Sequence, residues 1–341
     1  MTAHLSRLAL GGYALGGGYG AVSEADARAT VDAALDAGWT TIDTAETYLD
    51  SEERLGRILR GRRDRVFLAA KAFPCEAYTR RNLTAALDAT LRRLRTDRVD
   101  LYQLHGDEDW VRPFGPTPID ELAETLTALR ASGKALRIGV SNLTVDRLDA
   151  LARRTRVFST QNLYSLIDRG HDTDRLHLAV EDEILPYALE HGIAVLAYSP
   201  LSRGLLADGL QADRVFAPDD ERHFLPRYQH GVYEHYVRLS EELSAWARGH
   251  GRTLAQLAVA WTLRHPAVSS TIVGAKRPGH VAAVAGADDW ELTDGELAEV
   301  EAIVAGLPDV ARAARMTVWD HFDTAVLDRL VERRHGEAST S

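Results

Sequence analysis

A carboxylate, an ammonium and an imidazole close three separate apolar runs: Asp43 after Thr40-Thr-Ile, Lys71 after Val66-Phe-Leu-Ala-Ala, and His105 after Val99-Asp-Leu-Tyr-Gln-Leu. Two more runs end in the polar pairs Ser141-Asn142 and Gln161-Asn162, another in Tyr198-Ser199, and the last in Gly274-Ala275-Lys276-Arg277. Taken singly, each has a plain structural use. Asp43 can cap a turn through Thr44, Lys71 can sit in a core salt bridge because lysine is seldom buried alone, and His105 can be a hydrogen-bonded structural histidine. Asn142, Gln161 and Tyr198 can be satisfied rim residues. If one rim gathers them all, the set reads as a functional site rather than as scattered structural residues. Lysine occurs only at Lys71, Lys134 and Lys276, so each position carries weight.

What must gather them is the alternation of short apolar runs with longer amphipathic stretches, the pattern of a parallel sheet wrapped by helices. Eight such runs occur: 8–13, 40–43, 66–71, 99–105, 136–141, 157–161, 193–198 and 269–273. Helix starts are marked by Ser23 with Asp26, by Thr117 before Pro118, and by the capping boxes Thr253/Gln256 and Thr293/Glu296. Helix ends are marked by Gly38, Gly133, Gly192 and Gly251. Eight strand-then-helix units with right-handed crossovers predict an α/β fold, one (β/α)8 TIM barrel over residues 1–335, whose chemistry belongs at the C-terminal strand ends. Two segments break the rhythm. A Gly- and Asp-rich insertion with His and Tyr residues, about 201–252, follows strand seven and should overhang the mouth. A C-terminal helical extension, about 306–335 with Trp319, Phe322 and Leu327, could reach the same mouth, and 336–341 reads as a flexible tail.

Composition narrows the partners. With 45% hydrophobic and 26% charged residues the chain buries a large core, which excludes a disordered or fibrous protein. A formal charge of -10 without a basic run argues against nucleic acid. One cysteine, Cys75, allows no internal disulfide and no Cys-rich zinc site, and no metal is expected. The apolar stretches are too short to span a bilayer and no export signal opens the chain, so a cytoplasmic protein is expected.

The residues Gly38-Trp-Thr-Thr-Ile-Asp43-Thr44-Ala45-Glu-Thr-Tyr48, then Ser51-Glu52 and Leu55-Gly56, resemble the signature of the aldo-keto reductase family. So do Lys71, Asp100-Leu-Tyr-Gln-Leu-His105, Gly133-Lys-Ala-Leu-Arg-Ile-Gly-Val-Ser141-Asn142, Tyr198-Ser199-Pro-Leu201 and Ile272-Val-Gly-Ala-Lys-Arg-Pro278, in order over roughly residues 5–305. The resemblance implies an NADPH-dependent oxidoreductase that reduces an aldehyde, ketone or sugar carbonyl. It also implies the tetrad Asp43, Tyr48, Lys71 and His105, with Tyr48 as proton donor. In that scheme an ammonium about 4 Å from the phenol, at an effective dielectric near 20, contributes roughly 4 kcal/mol, or about three pK units of downward pull. Asp43 would hold Lys71 charged and His105 would hydrogen-bond the carbonyl oxygen. The cofactor contacts implied are Gly12 and Tyr13 after strand one, Ser141, Asn142 and Gln161 at the nicotinamide carboxamide, and Tyr198 against its ring. Ser199 and Leu201 follow, and Gly274, Lys276 and Arg277 face the phosphates.

The sequence departs from the family at Gly11-Gly12-Tyr13, where Gly-Thr-Trp is usual, and at Leu49, where glycine commonly follows the tyrosine. His280, Ala283 and Val284 replace the Gln and the Glu-Asn pair of the adenosine end. Gly16-Gly-Gly18-Tyr-Gly-Ala21 satisfies a dinucleotide-loop pattern but lies before the helix start at Ser23, so it reads as a mobile loop over cofactor or substrate. Two rival functions are a nicotinamide-nucleotide-binding regulatory subunit with little turnover and a barrel aldolase using Lys71 as Schiff-base nucleophile. Trp110, Phe114, Tyr228, Trp319 and Phe322 favour an apolar-walled substrate pocket, whereas the polar His and Tyr residues of the insertion would suit a sugar.

Overall fold

The computed structural model describes residues 4–108, 116–172, 177–314 and 324–336. Trp110, Phe114, Trp319 and Phe322, and the tail beyond Gly336, lie outside the described residues.

Eight strands form the barrel: β1 (Leu8–Gly11), β2 (Thr41–Asp43), β3 (Phe67–Ala72), β4 (Leu101–Leu104), β5 (Ile138–Ser141), β6 (Ser159–Leu163), β7 (Ala194–Tyr198) and β8 (Val268–Gly274). Each pairs in parallel with its sequence neighbours, and β1 pairs with β8 to close the ring. Ala9, Phe67, Ala69, Leu101, Leu196 and Ile272 form a small buried cluster of their own, distinct from the larger apolar layer between strands and helices. Above the cluster the strands end in polar residues. In parallel register, Asp43 lies beside Gly11 and Ala69, Lys71 beside Gln103, and Ser141 beside Gln161, so strand order alone brings the rim together.

The helix signals hold where a side chain closes the first turn. Ser23 accepts from the Asp26 amide at the head of α2 (Glu24–Asp36), and both capping boxes form, at α9 (Leu254–Leu263) and α11 (Asp294–Ala305). Gly38, Gly133, Gly192 and Gly251 all adopt left-handed backbone. Two expectations shift. Strand one stops at Gly11 and Gly12–Gly16 turn into α1, and a Cβ on Gly12 would lie 2.5 Å from Ser51 Oγ, so glycine is required where the helix begins. Tyr13 is therefore helical. Thr117 does not cap α5 (Ile119–Ala131). Its amide and hydroxyl bind the buried Glu108 carboxylate, and Pro118 stands at the cap.

The remaining helices are α3 (Ser51–Ile58), α4 (Arg80–Leu94), α6 (Val145–Ala152), α7 (Leu185–Glu190), α8 (Tyr233–Gly249), α10 (Pro278–Ala282), α12 (Asp309–Arg312) and α13 (Thr324–Gly336). The insertion after β7 is thus a loop with 3-10 turns up to Tyr228, followed by α8, which leads to α9. In the C-terminal extension, α13 lies against α4 and places Leu327 on Phe73 and Cys75. Among the described residues no helix is long and apolar enough to cross a membrane.

Candidate active site

At the C-terminal mouth a cleft of about 980 Å³ is lined by Asp43, Tyr48, His105, Ser141, Asn142, Gln161 and Tyr198 at one end and by Lys276, Arg277 and His280 at the other. Lys71 does not line it but lies fully buried beneath the Tyr48 ring. Its ammonium Nζ donates to Asp43 Oδ2 at 2.6 Å and to the Thr44 carbonyl at 2.9 Å, with both charged side chains sealed from solvent. Lys71 Nζ lies 4.5 Å from the centre of the Tyr48 ring, and that ring meets His105 edge-on at 5.6 Å. The four residues expected as a tetrad, from three strand ends and the turn after β2, are thus one contiguous cluster.

The electrostatics of this cluster reverse one expectation. Burial holds the Tyr48 phenol well above its ordinary value, reinforced by the Asp43 and Glu221 carboxylates and opposed by Arg203. The Lys71 ammonium lies over the ring face and is already bonded to Asp43, so the downward pull anticipated for the phenol is not what governs it here. Burial also lowers Lys71, against the upward effect of Asp43. His105 is pushed well below its ordinary value by burial and then by Lys71, so its imidazole is neutral near pH 7.

The amide side chains are already in use. Gln161 Nε2 donates to Asp43 Oδ1 at 2.9 Å, which fixes the carboxylate from the side opposite Lys71. Ser141 Oγ donates to the Gln161 carbonyl at 2.8 Å, and Asn142 Nδ2 donates to Ser141 Oγ at 2.9 Å. The Tyr198 hydroxyl donates to Asn142 Oδ1 at 3.2 Å, orienting its ring in the cleft wall. Asn142, Leu49, Ser199 and Arg203 line the cleft and are among six non-glycine residues, within the described part, in left-handed backbone. Strained conformations of this kind gather where a site must be shaped.

The glycines at the end of α1 have a packing role. A Cβ on Gly16 would lie 2.1 Å from the Tyr48 carbonyl oxygen, so glycine is required there for the loop to pack on the turn that carries Tyr48. Its far side is tied to the insertion: Tyr19 bridges Asp220, the Glu221 amide donates to the Gly18 carbonyl at 3.2 Å, and the Tyr13 hydroxyl donates to Glu221 Oε2 at 2.7 Å. Arg203 Nε lies 3.3 Å from the other Glu221 oxygen. Glu221 and Arg203 have no local signal in the sequence, because their partners lie far away along the chain. The loop read as mobile is pinned at both sides.

At the other end of the cleft Lys276 Nζ donates to the Tyr19 carbonyl at 2.5 Å and Arg277 Nε donates to His280 Nε2 at 3.0 Å. Gly11, Tyr13 and Leu201 also line the cleft, whereas Gly12 is buried and does not. The donor set fits an elongated ligand with an amide at its deep end and anionic groups at its exposed end. Tyr228, expected in the substrate wall, does line the cleft.

A sequence model of the Aldo/keto reductase family matches residues 7–305. The chain belongs to the aldo-keto reductase family. It is 32% identical over 312 residues to the aldo-keto reductase YhdN of Bacillus subtilis, covering 88% of this chain and 90% of that one. It is 29% identical over 321 residues to the NADH-specific methylglyoxal reductase of Escherichia coli, covering 86% and 92%. An aldo-keto reductase of Klebsiella pneumoniae solved with NADPH superposes with a TM-score of 0.69 at 32% identity, covering 89% of this chain and 93% of that one. This aldo-keto reductase is therefore an oxidoreductase barrel of a family that acts on small carbonyl compounds with a nicotinamide cofactor.

Proposed function

We propose that this aldo-keto reductase reduces a small aldehyde or ketone to the alcohol with NADPH, in the cytoplasm, using Tyr48 as the proton donor. The observation that carries the reading is the buried Asp43–Lys71 pair beneath the Tyr48 ring, with neutral His105 beside it in one cleft. A nicotinamide cofactor held in the cleft would supply the hydride for the carbonyl carbon, and the residues around the carbonyl oxygen would meet the negative charge that grows there. Tyr48, held above its ordinary value, keeps its proton across neutral pH and can release it only to that growing charge. His105, neutral because burial and Lys71 disfavour its cation, offers an N–H to the same oxygen without competing as an acid. Lys71 supplies a fixed positive charge under the reacting atoms, and Asp43, clamped by Lys71 and Gln161, keeps it there.

Ser141, Asn142 and Gln161 would hold the carboxamide, with Tyr198, Ser199, Gly12, Tyr13 and Leu201 shaping the nicotinamide wall. Gly274, Lys276 and Arg277 would meet the phosphates. Choice of NADPH rests on Lys276 and Arg277. The Klebsiella relative was solved with NADPH and the Escherichia coli one is described as NADH-specific, so both cofactors occur among similar proteins.

An ammonium bonded to a carboxylate and a carbonyl has no free lone pair for Schiff-base chemistry, which disfavours the aldolase reading. The test is a carbonyl panel, from methylglyoxal to glyceraldehyde and aromatic aldehydes, read by loss of reduced-nicotinamide absorbance. Turnover of at least one class with NADPH is expected. Tight NADPH binding with no turnover across the panel would instead favour a regulatory subunit.

A further inference from the structure

Arg334 is an arginine on the last turns of α13 that is 1% exposed, and it reaches across to the turn between Asp43 and Tyr48. Its Nε donates to Glu46 Oε2 at 2.9 Å, and its Nη2 donates to Glu46 Oε1 and, at 2.5 Å, to the Phe73 carbonyl. Nη1 donates to Glu76 Oε1 at 3.0 Å. Glu46 is itself 3% exposed and lies two residues before Tyr48, and its Oε1 also accepts from the Phe73 amide at 2.6 Å. The Phe73 ring stands edge-on to His105 at 5.7 Å. One guanidinium therefore fastens the turn carrying the proton donor and the stretch after β3 that backs the imidazole. Among the described residues none of α13 lines the cleft, and Arg334 itself lies outside it.

We propose that Arg334 is a positioning residue for the reduction: from the C-terminal helix it holds Glu46, and through Glu46 and Phe73 it sets the relative placement of Tyr48 and His105. The inference rests on the assignment of Tyr48 as donor. Bidentate pairing to Glu46 with two further acceptors needs the planar fork of arginine, which a lysine cannot reproduce. Removing the guanidinium leaves a buried carboxylate that must take up a proton or move toward water, and either outcome releases the turn. A displacement near 1 Å at reacting atoms can cost on the order of a hundredfold in rate.

The experiment compares wild type, Arg334→Met, Arg334→Lys, Glu46→Gln/Arg334→Met and Tyr48→Phe at a temperature well below every melting transition. Turnover, KM for the carbonyl, NADPH affinity by protein fluorescence and melting temperature are read for each. Arg334→Met should lower kcat by about tenfold to a hundredfold with NADPH affinity within about twofold, and Arg334→Lys should recover part of the loss. The double variant, which leaves no unpaired charge at Glu46, should regain much of the melting temperature yet keep the low kcat. Wild-type kcat in a folded Arg334→Met protein, or in the double variant if the single one does not fold, overturns the inference. The two readings separate cleanly. If Tyr48→Phe also keeps its turnover the donor assignment fails, whereas loss there with wild-type kcat in Arg334→Met removes only the role of Arg334.

Discussion

The buried ion pair under Tyr48 makes the sharpest thermodynamic prediction. Asp43 and Lys71 meet at 2.6 Å with both side chains out of contact with water. At an effective dielectric near 20 their Coulomb attraction is about 6 kcal/mol, most of which offsets the loss of hydration. Asp43→Asn removes the attraction and leaves the desolvation, so the variant should lose about 3–5 kcal/mol, or roughly 4–7 °C in melting temperature for a chain of 341 residues. Lys71→Met should lose a similar amount by stranding Asp43, and the two together should lose less than the sum of the single changes. The pH dependence carries a sign. Burial already lowers Lys71, and without Asp43 nothing comparable raises it. A base whose folded value lies below its unfolded one gains stability as pH rises between the two, so the Asp43→Asn deficit should shrink from pH 7 toward pH 10. Thermal melts of the four proteins across that range are the assay. Additive losses, or a deficit that grows with pH, would refute the coupling.

Three further expectations follow from the same geometry. Because Tyr48 is held high and His105 low, reductive kcat should stay level between pH 6.5 and 9, and a step near pH 7 would contradict the neutral imidazole. Lys276→Ala/Arg277→Ala should shrink the kcat/KM preference for NADPH over NADH by about tenfold or more, less so at high salt. Equal use of NADH by the unaltered enzyme would sink that assignment. Cys75, buried beneath Leu327 with its thiol pushed up to about 12, should react with a thiol reagent at pH 8 about a thousandfold more slowly than an exposed cysteine, and rapid labelling would show α13 undocked.

Much of this site is written locally. Each strand-end residue follows an apolar run of its own, and parallel register then carries Asp43, Lys71, His105 and Gln161 to one rim without any distant information. The capping boxes at Thr253 and Thr293 were legible for the same reason, since both partners lie within one turn. What the sequence conceals are contacts between segments far apart in the chain. Tyr13 reaches Glu221, Gln161 braces Asp43, and Arg334 grips Glu46, and none of these pairs has a spacing that announces it. Thr117 shows the converse, a residue with good capping chemistry that a buried carboxylate claims instead. The direction of the Tyr48 shift was likewise hidden, because it depends on how deeply the cleft encloses the phenol.

The central claim is that Tyr48 delivers the proton, and Tyr48→Phe tests it most directly because the change removes one oxygen from a ring held by Lys71, His105 and Tyr13. With a carbonyl substrate in hand, NADPH affinity and single-turnover oxidation of bound NADPH are measured for both proteins. The prediction is unchanged cofactor binding and a single-turnover rate lower by about 10² to 10⁴. A folded, cofactor-binding variant that turns over at the unaltered rate would contradict it.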